Sequence, residues 1–292
     1  LHFFLRATPA ERAFRPAARR NYQAVAALSP ERVLAKLPLR ALRERSKRRI
    51  PRQKLEASPQ MSETQFLFAP PPRPSVAIDG DIRRFPVRRI FCVGLNYAAH
   101  AREMGKDPGA EPPFFFSKPA DAVVVSGSVI PYAPMTRNLH YEIELVAALG
   151  SGGANILRTQ ALERVYGYAA GIDLTRRDLQ KQARDEGKPW DLAKGFDQSA
   201  PIGSIRPAER IGHPSSGQIA LSVNGALRQN GDLADMILDV AGVIAELSRY
   251  VALATGDLIF TGTPEGVGPL VPGDRVEGSI AGVGEVSLEI AR

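Results

Sequence analysis

Apolar runs in residues 86–292 are short, and Gly or Pro closes nearly every one: "IFCVG", "AVVVSG", "ELVAALG", "IALSVNG" and "DLIFTG". Runs of this length bounded by breakers suit strands, because a helix needs a longer uninterrupted pattern to bury one face. Most of the 26 glycines lie between positions 150 and 292. The pattern predicts a β-rich α+β domain and argues against alternating β–α units.

Strands are expected at Ile90–Val93, through "FFFSKPADAVV" with a break at Lys118-Pro119, along "YEIELVAALG", and along "VYGYAAGID" up to Asp173. "YEIELVAALG" alternates and then turns wholly apolar, as in a strand running from a wet edge into a core. "NG" at 224–225 signals a tight hairpin. One clear helix follows Thr175, its expected N-cap, with Asp178 three residues on as a capping-box variant; it stops at Gly187. A short helix is expected at 97–105, another over about 232–249, and a long loop over 188–201.

The net charge of +7 comes from the first 60 residues, which carry 15 Lys or Arg and 4 Asp or Glu; residues 61–292 carry 23 and 27. The mildly acidic body argues against a nucleic-acid partner, which only the basic arm could serve. That arm has one plausible helix start, Ser29-Pro30, interrupted by Pro38, and no core-forming pattern. It is Arg-rich and acid-poor, as in a transit peptide, but not Ser-rich. "MSETQFLFAPPPRPSVAIDG", from Met61, reads as an ordinary protein start. Residues 1–60 are therefore expected to be a disordered leader from an over-extended start, with 61–85 a short extended segment and 86–292 the main domain. There is no apolar run of 18 residues and no secretory signal, so no membrane association is expected. Cys92 is the only cysteine, which rules out an intrachain disulfide and fits a reducing, cytoplasmic compartment.

"HYEIEL" places Glu142 and Glu144 on one face of a strand, about 6–7 Å apart. They either face water or converge on a cation. Asp173 closes an apolar run and needs a partner there, either a helix start to cap or the same cation. Three carboxylates without Cys or an obvious His ligand would make a hard oxygen site, suited to Mg²⁺ or Mn²⁺. His100 and Glu103 are three residues apart on an expected helix. That is either a general base oriented by a carboxylate or an exposed surface pair.

"RRIFCVGLNYAAHAREMG", "FFFSKPADAVV", "HYEIELVAALG", "GYAAGIDLTRRDLQ", "GKPWDLAKGFDQSAPIG" and "FTGTPEGVGPLVPGD" together resemble the fumarylacetoacetate hydrolase family, in the family's order. The resemblance spans roughly 86–292 and makes that segment the catalytic domain; the leader has no counterpart. It implies a mixed β-sandwich roll, usually a homodimer, with Mg²⁺ or Mn²⁺ in the active site. It makes Glu142, Glu144 and Asp173 the metal ligands, His100 and Glu103 the water-activating pair, and Lys194 the cation beside the metal. Arg177, Gln180 and Thr263 match substrate-binding positions. The implied substrate is a small 2-oxo, β-dicarbonyl acid whose C–C bond is hydrolysed, with Gly105–Pro113 expected as a mobile lid. Within the family, the opening is most similar to the fumarylpyruvate-cleaving subgroup. Other acylpyruvate hydrolases and oxaloacetate decarboxylases come next, then dienedioate isomerases and hydratases.

Overall fold

Strands Phe114–Lys118 and Val123–Val125 lie at opposite edges of the largest sheet, yet only residues 119–122 join them. The order across that sheet is Phe114–Lys118, Arg89–Gly94, Asp257–Phe260, Ile143–Leu149, Val165–Ile172, Ala200–Ile202, Val123–Val125. The short strand Arg206–Pro207 also pairs with Val165–Ile172. Laid flat, seven strands would be about 29 Å across, whereas five Cα–Cα steps cover at most about 18 Å. The sheet must therefore curl into a half-barrel. It is mixed: Asp257–Phe260 runs parallel to Arg89–Gly94, and Ala200–Ile202 parallel to Val123–Val125, among antiparallel neighbours.

This computed structural model describes residues 66–107 and 114–292, all within the unit Phe66–Arg292. The basic leader, the Ser29-Pro30 helix start, Met61 and most of the expected Gly105–Pro113 lid lie outside the described residues. Among the described residues no helix is long and apolar enough to cross a membrane.

A second sheet, Ala226–Asp232, Gln218–Val223, Arg275–Ile280, Gly284–Ile290 and Ser128–Ile130 in that order, covers one face of the half-barrel. Alternation along Ile143–Leu149 feeds both sides. Ile143, Leu145, Ala147 and Leu149 join Ile219, Val276, Val286 and helix residues Val243, Ile244 and Leu247 in one core. Ile143 fits closely because Gly278 faces it: a Cβ there would stand 2.4 Å from Ile143 Cδ1. Val146 and Ala148 point the other way, into a second core with Cys92, Ala169, Leu258 and Phe260. The chemistry sits on that second face. The result is a β-rich α+β fold built on a curled mixed sheet, as the sequence predicts.

Several local expectations need correction. Thr175 does not cap a helix. It belongs to the two-residue strand Thr175–Arg176, and the helix Arg177–Asp185 begins without a side-chain cap because the Thr175 hydroxyl is committed to Lys194. Asp178 does accept the N–H of Leu179, along with the N–H of Arg137 and the Thr136 hydroxyl. The expected loop over 188–201 contains the helical turn Asp191–Lys194. The helix expected over 232–249 is split. Asp232 caps the 3₁₀ turn Leu233–Asp235, and Asp239, accepting from Gly242 N–H, starts the true helix Val240–Tyr250. The stretch read as extended approach chain closes into a hairpin, Ser75–Ile78 with Asp81–Pro86, turning at Gly80 and packing Val76 and Phe85 on the second core. The hairpin at Asn224-Gly225 forms as expected, with both residues at positive φ.

Candidate metal centre and active site

Strand register assembles the three carboxylates. Ile143 pairs with Ile172 and Glu144 with Gly171, and one step further the Asp173 N–H donates to the Glu142 carbonyl at 2.8 Å. Glu142, Glu144 and Asp173 therefore share the concave face, and one oxygen from each lies within 4.8 Å of the others. They are 4%, 2% and 0% exposed, so the reading in which the glutamates face water is wrong. The curl turns what a flat sheet would leave wet into an enclosed wall. Gly171, opposite Glu144, leaves room for the floor: a Cβ there would stand 2.6 Å from Val146 Cγ2 and 2.7 Å from Phe260 Cε1.

Buried carboxylates need counter-charge. Lys194, at the end of its helical turn, donates to Glu142 Oε2 and Asp173 Oδ2 at 2.7 Å each and to Thr175 Oγ1 at 2.6 Å. Lys118 reaches Asp173 Oδ1 at 2.8 Å and also donates to the carbonyls of Leu174 and Lys194. Arg177 donates to Glu142 Oε1. Burial alone would raise the Glu142 carboxyl, but the charges of Lys194 and Arg177 hold it far below its ordinary value. Burial would likewise lower Lys194, and Asp173 and Glu142 raise it instead. Asp173 thus serves the lysines and not a helix start.

Glu144 is different. It accepts only the Gly262 N–H, at 2.8 Å, and among the described residues no Lys, Arg or His pairs with it. Burial, then the charges of Asp173 and Glu142, push its carboxyl well above the ordinary range. A buried carboxylate with no ion-pair partner of its own among the described residues, beside two others, is a fit for a cation. With only oxygen donors, Mg²⁺ or Mn²⁺ suits the set.

His100 lies on the short helix Ala98–Glu103, which ends at Gly105 with φ 73°. Its Nδ1 stands 3.0 Å from Glu103 Oε2. With Nδ1–H donated to that carboxylate, Nε2 is left as the acceptor. Glu103 also accepts the Gly266 N–H at 3.2 Å. Burial would raise its carboxyl, but the His100 and Gly266 hydrogen bonds bring it below its usual value. His100 is 5% exposed while the Glu103 side chain is 34% exposed, so the pair is half-buried and not a fully exposed surface contact.

A cavity of about 510 Å³ opens onto this face. His100, Glu142, Glu144, Arg177, Gln180, Lys194 and Thr263 line it, with Phe114, Phe116 and Trp190 as an aromatic wall. Asp173, fully buried, is not among the lining residues, and Glu103 lines an adjoining groove. Arg177 is held on all sides, by Glu142, by Gln180 Oε1 and by His140 Nδ1 at 3.4 Å. Burial, then the Arg177 charge, keeps His140 neutral, with its pKa lowered to about 4.

Three residues escaped the sequence reading. Lys118 looked only like a strand break before Pro119. His140, beside the Glu-x-Glu pair, has no role that the local pattern announces. Gln229 accepts the Ile143 N–H at 3.0 Å and donates to Thr263 Oγ1 at 2.9 Å and the Pro264 carbonyl at 2.8 Å, fixing the Thr263 hydroxyl toward the cavity. Nothing in the local pattern around Gln229 announces that link.

This fold and carboxylate set belong with a defined group of proteins. The family model "Fumarylacetoacetate (FAA) hydrolase C-terminal" matches residues 89–291, and the chain belongs to that family. A fumarylpyruvate hydrolase of Ralstonia sp is 45% identical over 184 residues, 63% of this chain and 95% of that protein. The mitochondrial oxaloacetate tautomerase FAHD1 of Mus musculus is 40% identical over 205 residues, 70% of this chain and 92% of that protein. Among solved structures, the fumarylpyruvate hydrolase of Pseudomonas aeruginosa in complex with Mn²⁺ and pyruvate is 54% identical, with a TM-score of 0.76 over 78% of this chain and 99% of that one.

Proposed function

We propose that this protein is a divalent-metal-dependent hydrolase that cleaves the C–C bond of a 2,4-dioxo acid, converting fumarylpyruvate to fumarate and pyruvate. The observation that carries the reading is the carboxylate-oriented His100 facing the same cavity as the carboxylate cluster. Two relatives described as fumarylpyruvate hydrolases support the substrate, and the Mn²⁺ and pyruvate in one of them fit this pocket's chemistry.

Glu142, Glu144 and Asp173 would hold the cation, Mg²⁺ or Mn²⁺, which when bound supplies Lewis acidity toward substrate oxygens. Glu103 fixes the His100 ring, and Nε2 takes a proton from water. The water oxygen adds to the distal carbonyl, the bond between that carbon and the methylene breaks, and its electron pair leaves on the pyruvate enolate. His100 returns its proton to the methylene carbon, which completes fumarate and pyruvate. The Lys194 ammonium, held beside Glu142 and Asp173, offsets negative charge developing in the cavity. Arg177, Gln180 and the Gln229-oriented Thr263 hydroxyl position the acid.

The 40% identical oxaloacetate tautomerase favours oxaloacetate as a second substrate of the same residues. The discriminating experiment is a panel of fumarylpyruvate, acetylpyruvate, fumarylacetoacetate and oxaloacetate with purified protein, each with and without EDTA, with the oligomeric state of the family's usual homodimer measured alongside. Fumarylpyruvate cleavage that EDTA abolishes supports the reading. Turnover of oxaloacetate alone would replace it.

A further inference from the structure

The helix Arg177–Asp185 presents Arg177, Gln180 and Arg184 to the cavity, at positions i, i+3 and i+7 of one face. Arg177 is committed to Glu142 at the inner end. Arg184 lies two turns further out, about 10.5 Å along the axis. Its side chain is 38% exposed, and its one ion-pair partner among the described residues is its neighbour Asp185, at 3.6 Å. Arg184 borders both the main cavity and the adjoining groove, where the two open to solvent. A weakly engaged guanidinium at the mouth of a cavity whose other Arg is fully engaged is a receptor for an anion.

The spacing indicates which anion. A seven-carbon diacid with bonds of about 1.5 Å spans roughly 7–8 Å between its terminal carbons when extended. With one hydrogen bond of about 3 Å to Arg184, its reach is comparable to the roughly 10.5 Å axial rise from the level of Arg177 to that of Arg184. In the same cavity, Trp190 meets Phe114 edge-on at 4.9 Å and Phe116 at 5.8 Å, making an apolar wall for a planar unsaturated spacer.

We propose that Arg184 binds the distal carboxylate of a dicarboxylic acylpyruvate and is the residue that makes this site prefer a diacid over a monoacid of the same series. This rests on the hydrolase reading above. The test compares wild type, Arg184→Gln and Arg184→Lys in two assays. In the first, the ratio of kcat/KM for fumarylpyruvate to that for acetylpyruvate falls about 10–100-fold in Arg184→Gln, the range for losing a hydrogen bond to a charged group. Arg184→Lys keeps part of the ratio. In the second, the Mn²⁺-loaded protein is titrated calorimetrically with 2-oxoheptanedioate and with 2-oxoheptanoate. Neither has the scissile β-dicarbonyl bond, and they differ only in the distal carboxylate. Wild type binds the diacid at least tenfold more tightly, and Arg184→Gln abolishes the difference. A ratio and a binding preference that Arg184→Gln leaves intact would overturn the assignment. If wild type cleaves neither acylpyruvate yet binds the diacid through Arg184, the reaction is misread and the carboxylate subsite stands.

Discussion

Lys118 Nζ and the Asp173 carboxylate meet at 2.8 Å, both side chains fully buried, from strands four places apart in the curled sheet. In a flat sheet those strands would be about 19 Å apart. The pair closes the half-barrel across its concave face and shares Asp173 with Lys194.

Removing Lys118 leaves one Asp173 oxygen buried without its cation. Lys118→Met is expected to lower stability by about 3 kcal/mol, since breaking a buried ion pair from one side costs more than the pair contributes. Urea denaturation measures it. A loss under 1 kcal/mol would mean that Lys194 alone satisfies Asp173.

Glu144→Ala should abolish Mn²⁺ binding by calorimetry and metal-dependent turnover while leaving the circular dichroism spectrum unchanged, because it removes the one carboxylate of the three that no Lys, Arg or His pairs with among the described residues. Full activity in a chelated, metal-free sample would rule this centre out.

Stability should depend on pH through the same residue. The Glu144 carboxyl sits well above its ordinary 4.5 in the cation-free fold. Its stabilising contribution is complete below that value and is lost as pH rises through the folded pKa, since the folded protein then holds a buried charge. Glu142, shifted the opposite way, is ionised in both folded and unfolded states above that range and adds no slope there. A cation competes with the Glu144 proton, so the rise in Tm on adding Mn²⁺ should be larger at pH 8 than at pH 6. Thermal melts of wild type and Glu144→Gln check this; the variant should lose the pH-dependent increment.

His100→Ala should reduce fumarylpyruvate hydrolysis by about 10²–10⁴-fold, the usual worth of a positioned general base. Oxaloacetate decarboxylation needs no attacking water and should fall less, while Glu142→Ala should abolish both. Parallel rates in the same variants decide it, and undiminished hydrolysis in His100→Ala would remove His100 from the reaction.

The described residues begin at Phe66 and the family match at residue 89. Deleting residues 1–60 should leave Tm and turnover nearly unchanged, whereas a drop of several degrees would show that the leader packs on the body.

The sequence by itself determined what short-range geometry can encode. Alternation put Glu142 and Glu144 on one face, a three-residue interval put His100 beside Glu103, Asn-Gly made its hairpin, and breaker-bounded runs made a β-rich fold. Each depends on residues only a few positions apart. Tertiary structure decided the rest. Whether the Glu face was wet or buried depended on the direction of sheet curl, which periodicity does not carry. Register brought Asp173 opposite Glu142 across 31 positions of chain. Curl, not proximity in sequence, brought Lys118 to Asp173. Thr175 illustrates the difference: locally it is a good helix cap, but a buried lysine ammonium 2.6 Å from its hydroxyl gains more from that oxygen than helix N-terminal N–H groups open to other acceptors and solvent.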